Sequence, residues 1–151
     1  MEDYSNEKLL DIQQDLMDKF EAGKGWEIEN AYLSYLKTFE LDQTQTNPAK
    51  MSGGEQRKMA LSIGLSSKAN FILWDEPTNH LDVETIEKFE DELNNSQATY
   101  MIISHDRYLL NHVTNKIIHI ERGSINSYSG TYLDYLEYLD QREKELAKNL
   151  D

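Results

Sequence analysis

The sequence predicts an α/β fold: a parallel sheet core, a helical subdomain ahead of it, and an antiparallel hairpin behind it. Three observations carry that prediction. Phe71-Ile-Leu-Trp74 is an apolar run that stops abruptly at Asp75-Glu76-Pro77, the form of a short strand buried on both faces. A helical pattern and a second apolar run, Tyr100 to Ile103, complete a strand, helix and strand of about thirty residues, which is a right-handed βαβ crossover with parallel strands. Upstream, from Leu9 to Phe39, apolar residues recur at helical spacing instead.

Taken in order, Leu9, Ile12, Leu16 and Phe20 mark an amphipathic helix from Ser5 to Phe20, with Ser5 as its N-cap. Glu21-Ala-Gly-Lys-Gly25 breaks it, and Ile28, Ala31, Tyr32, Tyr35, Leu36 and Phe39 line a second helix, so that the two form a hairpin. A polar loop runs from Asp42 to Lys50. Ser52-Gly-Gly-Glu55 then opens a helix with Met59, Ala60, Ile63 and Gly64 on its inner face. Beyond the central strand, Val83, Ile86, Phe89 and Leu93 give a helix starting near Asp82. Ile117 to Ile120 and Ile125 to Tyr128 read as a hairpin around Glu121–Ser124. Tyr132, Tyr135, Leu136 and Leu139 line a last helix, whose Gln141–Lys148 end is rich in alternating charge and suits a solvated linker.

With 151 residues, the chain is long enough for one domain with a sizeable core, and its 38% hydrophobic content is compatible with folding. There is no cysteine, which excludes a disulfide framework and a thiolate metal site. No apolar run reaches the length of a membrane span and the N-terminus lacks a signal-peptide pattern, so the expectation is a cytoplasmic protein. Nucleic-acid affinity comes largely from Lys and Arg neutralising phosphates, and a net charge of −13 makes this segment a poor grip on RNA or DNA.

Chemistry is expected where the first core strand ends, because ligands of open α/β sheets bind at the carboxyl ends of strands. Asp75 and Glu76 stand there, and parallel pairing brings His105 to the same edge. Apolar residues followed by Asp-Glu have the form of a Walker B motif. Ser104-His105-Asp106 does not make a hydrolase triad, because adjacent residues at a strand end point different ways. A zinc site from His80, His105, His112 and His119 lacks the spacing of known ligand sets. Gly23-Lys24 fails as a phosphate loop: Asp18 stands where the pattern needs Gly, and Gly25 where it needs Ser or Thr.

Met51-Ser-Gly-Gly-Glu-Gln56, Glu76-Pro-Thr-Asn-His-Leu-Asp82 and Ile103-Ser-His-Asp-Arg107 together make the chain resemble the ABC ATPases. The Asn79-His80-Leu81-Asp82 loop looks like that of the ABC-F family, soluble proteins with two ABC domains in one chain. The resemblance runs from Trp26 to about Gln141. It departs in one letter: Glu55 stands where the superfamily more often has Gln, as the ABC-F group often shows.

The resemblance implies a partial P-loop NTPase (ABC ATPase) fold. It corresponds to the C-terminal portion of one ABC domain, the first, without the Walker A segment that cradles the phosphates. It divides the chain into a helical, arm-like subdomain (1–50), a catalytic core portion (51–130) and a C-terminal helix that starts an interdomain linker (131–151). It implies ATP and Mg²⁺ as ligands. Asp75 would coordinate Mg²⁺, Glu76 would act as general base or position the water, and His105 would contact the γ-phosphate. Ser52, Gly53, Gly54 and Glu55 would meet ATP bound to the opposite ABC domain, with Asp82 at the interface. As Ser-x-x-Glu, Ser52 and Glu55 also read as a capping box, and the two roles are compatible.

The partners implied are a second ABC domain or a dimer mate, and the ribosome through regions outside this segment. Without a phosphate cradle the segment alone should not hydrolyse ATP, and strands lacking neighbours should leave an exposed sheet edge. Two other readings stand beside this one. The chain could be the nucleotide-binding subunit of a membrane transporter, against which the Asn79–Asp82 loop and the C-terminal helix argue, or a non-catalytic interaction module that retains ABC motifs.

Overall fold

The computed structural model describes residues 3–41 and 47–148. They fall into two compact units, 1–69 and 70–151.

The first unit is helical: α1 (Asp3–Ala22), α2 (Gly25–Thr38), a 3₁₀ turn (Pro48–Lys50) and α3 (Gly53–Ser66). α1 begins ahead of Ser5, so Ser5 is a helical residue and does not cap the helix. The break between α1 and α2 takes a left-handed Lys24 (φ 56°) followed by glycine. A Cβ on Gly25 would collide with the Phe20 ring, which packs edge-on against Trp26 with centroids 5.0 Å apart. The polar loop lies partly outside the described residues, at 42–46; Asn47 caps the turn that follows, its Oδ1 accepting from the Ala49 amide at 3.0 Å.

α2 packs against both α1 and α3. The core of this unit is built from Leu36, Phe39, Leu41, Met51 and Leu61. α3 buries a different face from the one its apolar residues predict. Leu61, Ser62 and Ser66 are buried, while Ala60 and Ile63 are exposed and Met59 and Gly64 are half-buried. The serines can sit inside because their hydroxyls bond back along the helix. Ser62 Oγ donates to the Lys58 carbonyl at 2.9 Å and Ser66 Oγ to that of Ile63 at 3.0 Å.

The second unit runs β1 (Phe71–Asp75), α4 (Val83–Asn95), β2 (Thr99–Ile103), α5 (Arg107–Val113), β3 (Lys116–Glu121), β4 (Ser124–Ser129) and α6 (Tyr132–Lys148). β1 and β2 pair in parallel from Phe71 opposite Thr99 to Asp75 opposite Ile103. Neither strand has a second neighbour in its sheet among the described residues.

β1 is not buried on both faces. Trp74 is buried and Ile72 half-buried, whereas Phe71, Leu73 and, on β2, Met101 and Ile103 are exposed. Strand alternation puts these two sets on opposite sides. The covered side meets α4, where the Trp74 and Phe89 rings stand edge-to-face with centroids 5.3 Å apart. No described residue covers the other side enough to bury it.

β3 and β4 form the antiparallel hairpin, with Lys116 opposite Ser129 and Glu121 opposite Ser124. Its two-residue loop, Arg122 (φ 48°) and Gly123 (φ 79°), has the double positive φ of a type I′ turn. α6 opens on a reciprocal cap in which the Thr131 amide and hydroxyl donate to Asp134 Oδ2 at 2.9 and 2.8 Å. Its Tyr135 ring packs against His119 and Tyr128.

Candidate nucleotide site

The parallel register carries β1 and β2 to one edge together. Beyond Asp75 the ladder continues for one more bond, the Glu76 amide donating to the Ile103 carbonyl at 2.8 Å. There the chain turns sharply. Glu76 adopts φ 46° and His80 φ 66°, left-handed backbone that costs a non-glycine residue about 1 kcal/mol. Glu76 does so directly before a proline, whose ring already restricts the preceding residue. Local strain of this kind gathers at ligand sites because the surroundings must hold it in place. Here Pro77 and Thr78 are buried, and the Leu81 amide donates to the Thr78 carbonyl at 3.2 Å.

On the neighbouring strand end, Ser104 and Asp106 turn their side chains to the backbone. Ser104 Oγ accepts from the Asp106 amide at 3.0 Å, and Asp106 Oδ1 accepts from the amides of Tyr108 and Leu109 at 3.0 and 3.1 Å, capping α5. His105 is left free. Its side chain is 100% exposed and its Nε2 stands 3.6 Å from Oε1 of Glu76, itself 25% exposed. That is an ion-pair separation when the imidazole is protonated and longer than a hydrogen bond. Asp75 is exposed on the open side of the sheet at the same edge. The three chemistry-bearing side chains thus occupy one rim.

Asp82 is engaged at the N-terminus of α4, where its Oδ1 accepts from the amide and hydroxyl of Thr85, both at 2.9 Å. Ser52, Gly53, Gly54 and Glu55 belong to the first unit, at the N-terminus of α3. The capping box is complete: Ser52 N and Oγ each donate to Glu55 Oε2 at 2.7 Å, and Glu55 N donates to Ser52 Oγ at 3.3 Å. The Ser52 hydroxyl, then its amide, hold the Glu55 carboxyl below its usual range. A side chain at Gly53 would meet no atom within 4 Å, so the helix end is open at that residue. Helix N-termini offer amides without intrahelical partners and a positive dipole end, the setting for an anion.

Two features were not expected from the sequence. α5 is a helix absent from the predicted elements, though Asp106 ahead of Tyr108 and Leu109 is a cap signal of the usual kind. Glu90 is buried on α4 with Oε1 lacking a hydrogen-bond partner among the described residues, and burial pushes its carboxyl up. No local signal marks it.

A parallel βαβ unit ending in adjacent carboxylates with a histidine beside them is an α/β arrangement of the class that takes ligands at its strand ends. Residues 4–79, half of the chain, match the model of the ABC transporter family. The chain belongs to that family, in its ABC-F branch. It is 32% identical over 147 residues to ABC transporter F family member 5 of Arabidopsis thaliana, covering 95% of this chain and 21% of that protein. It is 34% identical over 143 residues to the energy-dependent translational throttle protein EttA of Mycobacterium tuberculosis (strain H37Rv), covering 93% of this chain and 25% of that one. The chain therefore spans about a fifth to a quarter of the length of these curated relatives. Among solved structures it is similar to the dimeric bacterial ABC transporter cassette MJ0796, with 28% identity, a TM-score of 0.57, and coverage of 66% of this chain and 46% of that one. The fold is accordingly that of part of an ABC ATPase cassette, with a parallel sheet, a helical subdomain and the antiparallel hairpin.

Proposed function

We propose that this chain is the carboxylate-bearing part of an ABC-F ATPase that binds ATP with Mg²⁺ and hydrolyses it. The observation that carries the reading is the 3.6 Å approach of His105 to Glu76 at the rim where Asp75 also ends. Glu76 accepts a proton from the attacking water, and His105 contacts a γ-phosphate oxygen and helps orient that water. The left-handed backbone at Glu76 keeps the carboxylate at the edge.

Mg²⁺ takes oxygen donors and is commonly held by one or two carboxylates together with substrate phosphates and water. Asp75 fits that pattern, and no group of three or more His, Cys, Asp or Glu among the described residues offers a cage of its own. When bound, the ion neutralises charge on the phosphates.

Ser52, Gly53 and Gly54 act on ATP held by a second ABC domain or a dimer mate, with Glu55 keeping the helix end formed. Asp82, capping α4 beside the loop, couples the two sites. In this reading 1–50 is the helical arm-like part, 51–130 the catalytic portion and 131–151 the start of an interdomain linker. The 151 residues carry no phosphate-loop pattern, so the segment by itself does not turn over ATP. Its acidity assigns ribosome contacts, and a role in translation like the one EttA's name describes, to other parts of a longer protein. A cytoplasmic setting is in keeping with the described residues, which include no helix long and apolar enough to cross a membrane.

The test is Glu76→Gln in the full-length protein. Losing the base should slow turnover by roughly 10²- to 10⁴-fold while ATP stays bound in a closed state. Unchanged turnover would remove Glu76 from the mechanism.

A further inference from the structure

α5 follows closely on His105 in the chain. It spans only Arg107–Val113, too short to be stable alone, and it begins two residues after His105. Its contacts among the described residues include the following. Leu109 is fully buried. Asn111 Oδ1 accepts from the Leu133 amide of α6 at 3.2 Å. The third is His112, whose Nδ1 lies 4.0 Å from Oε2 of Glu90 on α4.

Toward Glu90 the His112 imidazole offers charge and no hydrogen bond, because the nitrogen nearest that carboxylate is committed elsewhere. Its Nδ1 donates to the Tyr108 carbonyl at 2.9 Å, and the Tyr108 ring lies against it with centroids 3.8 Å apart. Glu90 is placed at a cost: it is 7% exposed, and Oε1 has no hydrogen-bond partner among the described residues. A buried carboxylate of this kind is unfavourable unless a cation compensates it. The charged groups facing it are His112 and Asp106 from α5, with Asp91 and Glu87 on its own helix. Only His112 can supply a positive charge among these. The Asp106 carboxylate is engaged in capping α5.

We propose that Glu90 is a positioning residue, which through its ion pair with His112 holds α5 to α4 and thereby sets His105 opposite Glu76. The pair needs a carboxylate and an imidazolium together. Protonating Glu90 or deprotonating His112 breaks it, so the placement of His105 depends on pH through groups that touch neither the rim nor any ligand. Burial raises the Glu90 carboxyl above its usual range, so the carboxylate that the pair needs is lost at a higher pH than for an exposed glutamate. The consequence for turnover rests on the function proposed for His105, but the positioning itself does not.

The experiment follows the imidazole signals of His105 by NMR over a pH titration of the 151-residue chain without nucleotide. Wild type should show, besides the inflections due to the imidazole itself and to Glu76 beside it, a further one at the pH where Glu90 takes up its proton. Glu90→Gln should abolish that inflection, and so should His112→Asn, which leaves the carboxylate in place; circular dichroism identifies which variants are folded. A His105 curve in either folded variant that superimposes on wild type, or a wild-type curve without the further inflection, overturns the proposal. Because this readout involves no ATP, its failure is distinct from that of the ATPase reading, which the Glu76→Gln turnover measurement tests separately.

Discussion

Replacing Phe89 with alanine tests how the rim is held. Phe89 is 0% exposed and meets Trp74 edge-to-face across the α4–sheet contact. Trp74's indole nitrogen has no hydrogen-bond partner among the described residues, so packing is what retains the ring. Truncating a buried Phe costs about 3–5 kcal/mol, including roughly 0.5–1.5 kcal/mol from the aromatic pair beyond its area burial. Against a total stability of about 5–15 kcal/mol, that is a large fraction. At about 2–4 °C per kcal/mol for a chain of this size, the melting temperature should fall by roughly 6–20 °C. Urea unfolding would be followed by Trp74 fluorescence in a Trp26→Phe background, since these are the chain's two tryptophans. The covered sheet face rests on α4, so the same variant should also loosen the pairing that brings His105 to Glu76. A loss below about 1 kcal/mol would refute the view that this contact anchors the sheet.

Three further outcomes are expected. Ser52→Ala removes the hydroxyl from the capping box and should destabilise the chain by about 1 kcal/mol with no ligand present, read from the urea midpoint. Gly130 has φ 146°, and a Cβ there would lie 2.8 Å from the Tyr128 ring and 3.2 Å from Asp134 Oδ2; Gly130→Ala should therefore cost about 1–3 kcal/mol by thermal denaturation. The pH dependence of stability should separate the carboxylates by sign. The Thr131 amide and hydroxyl hold Asp134 low, so its contribution is present above the ordinary carboxylate range and lost as pH falls through its folded pKa. Burial raises Glu90, so its contribution is present below that range and lost as pH rises through its folded pKa. The unfolding free energy of wild type minus that of Glu90→Gln should accordingly grow on acidification, whereas that of wild type minus Asp134→Asn should shrink.

Much of the fold was legible because its signals are local. Each strand of the βαβ unit declares itself by an apolar run, and α4 by its periodicity and Asp82. The hairpin lies between two apolar runs, and Ser52-x-x-Glu55 forms the cap it predicts. The rim was legible too: once β1 and β2 are parallel, Asp75, Glu76 and His105 share an edge. Burial was legible only in part. The apolar residues of α3 gave the wrong inner face because back-bonded serines are as acceptable inside as small apolar residues. Phe71 and Leu73 are as apolar as Trp74, yet no described residue buries them.

The sequence by itself determined the order and type of the elements other than α5, the caps at Ser52 and Asp82, and the ABC-F character of the chain. These depend on residues within a few positions of each other. Tertiary structure alone decided which faces are covered, the 3.6 Å spacing of His105 and Glu76, and the burial of Glu90 beside His112. Periodicity states which side chains share a face; only packing between elements distant in the chain selects the face that leaves water and brings two charges together.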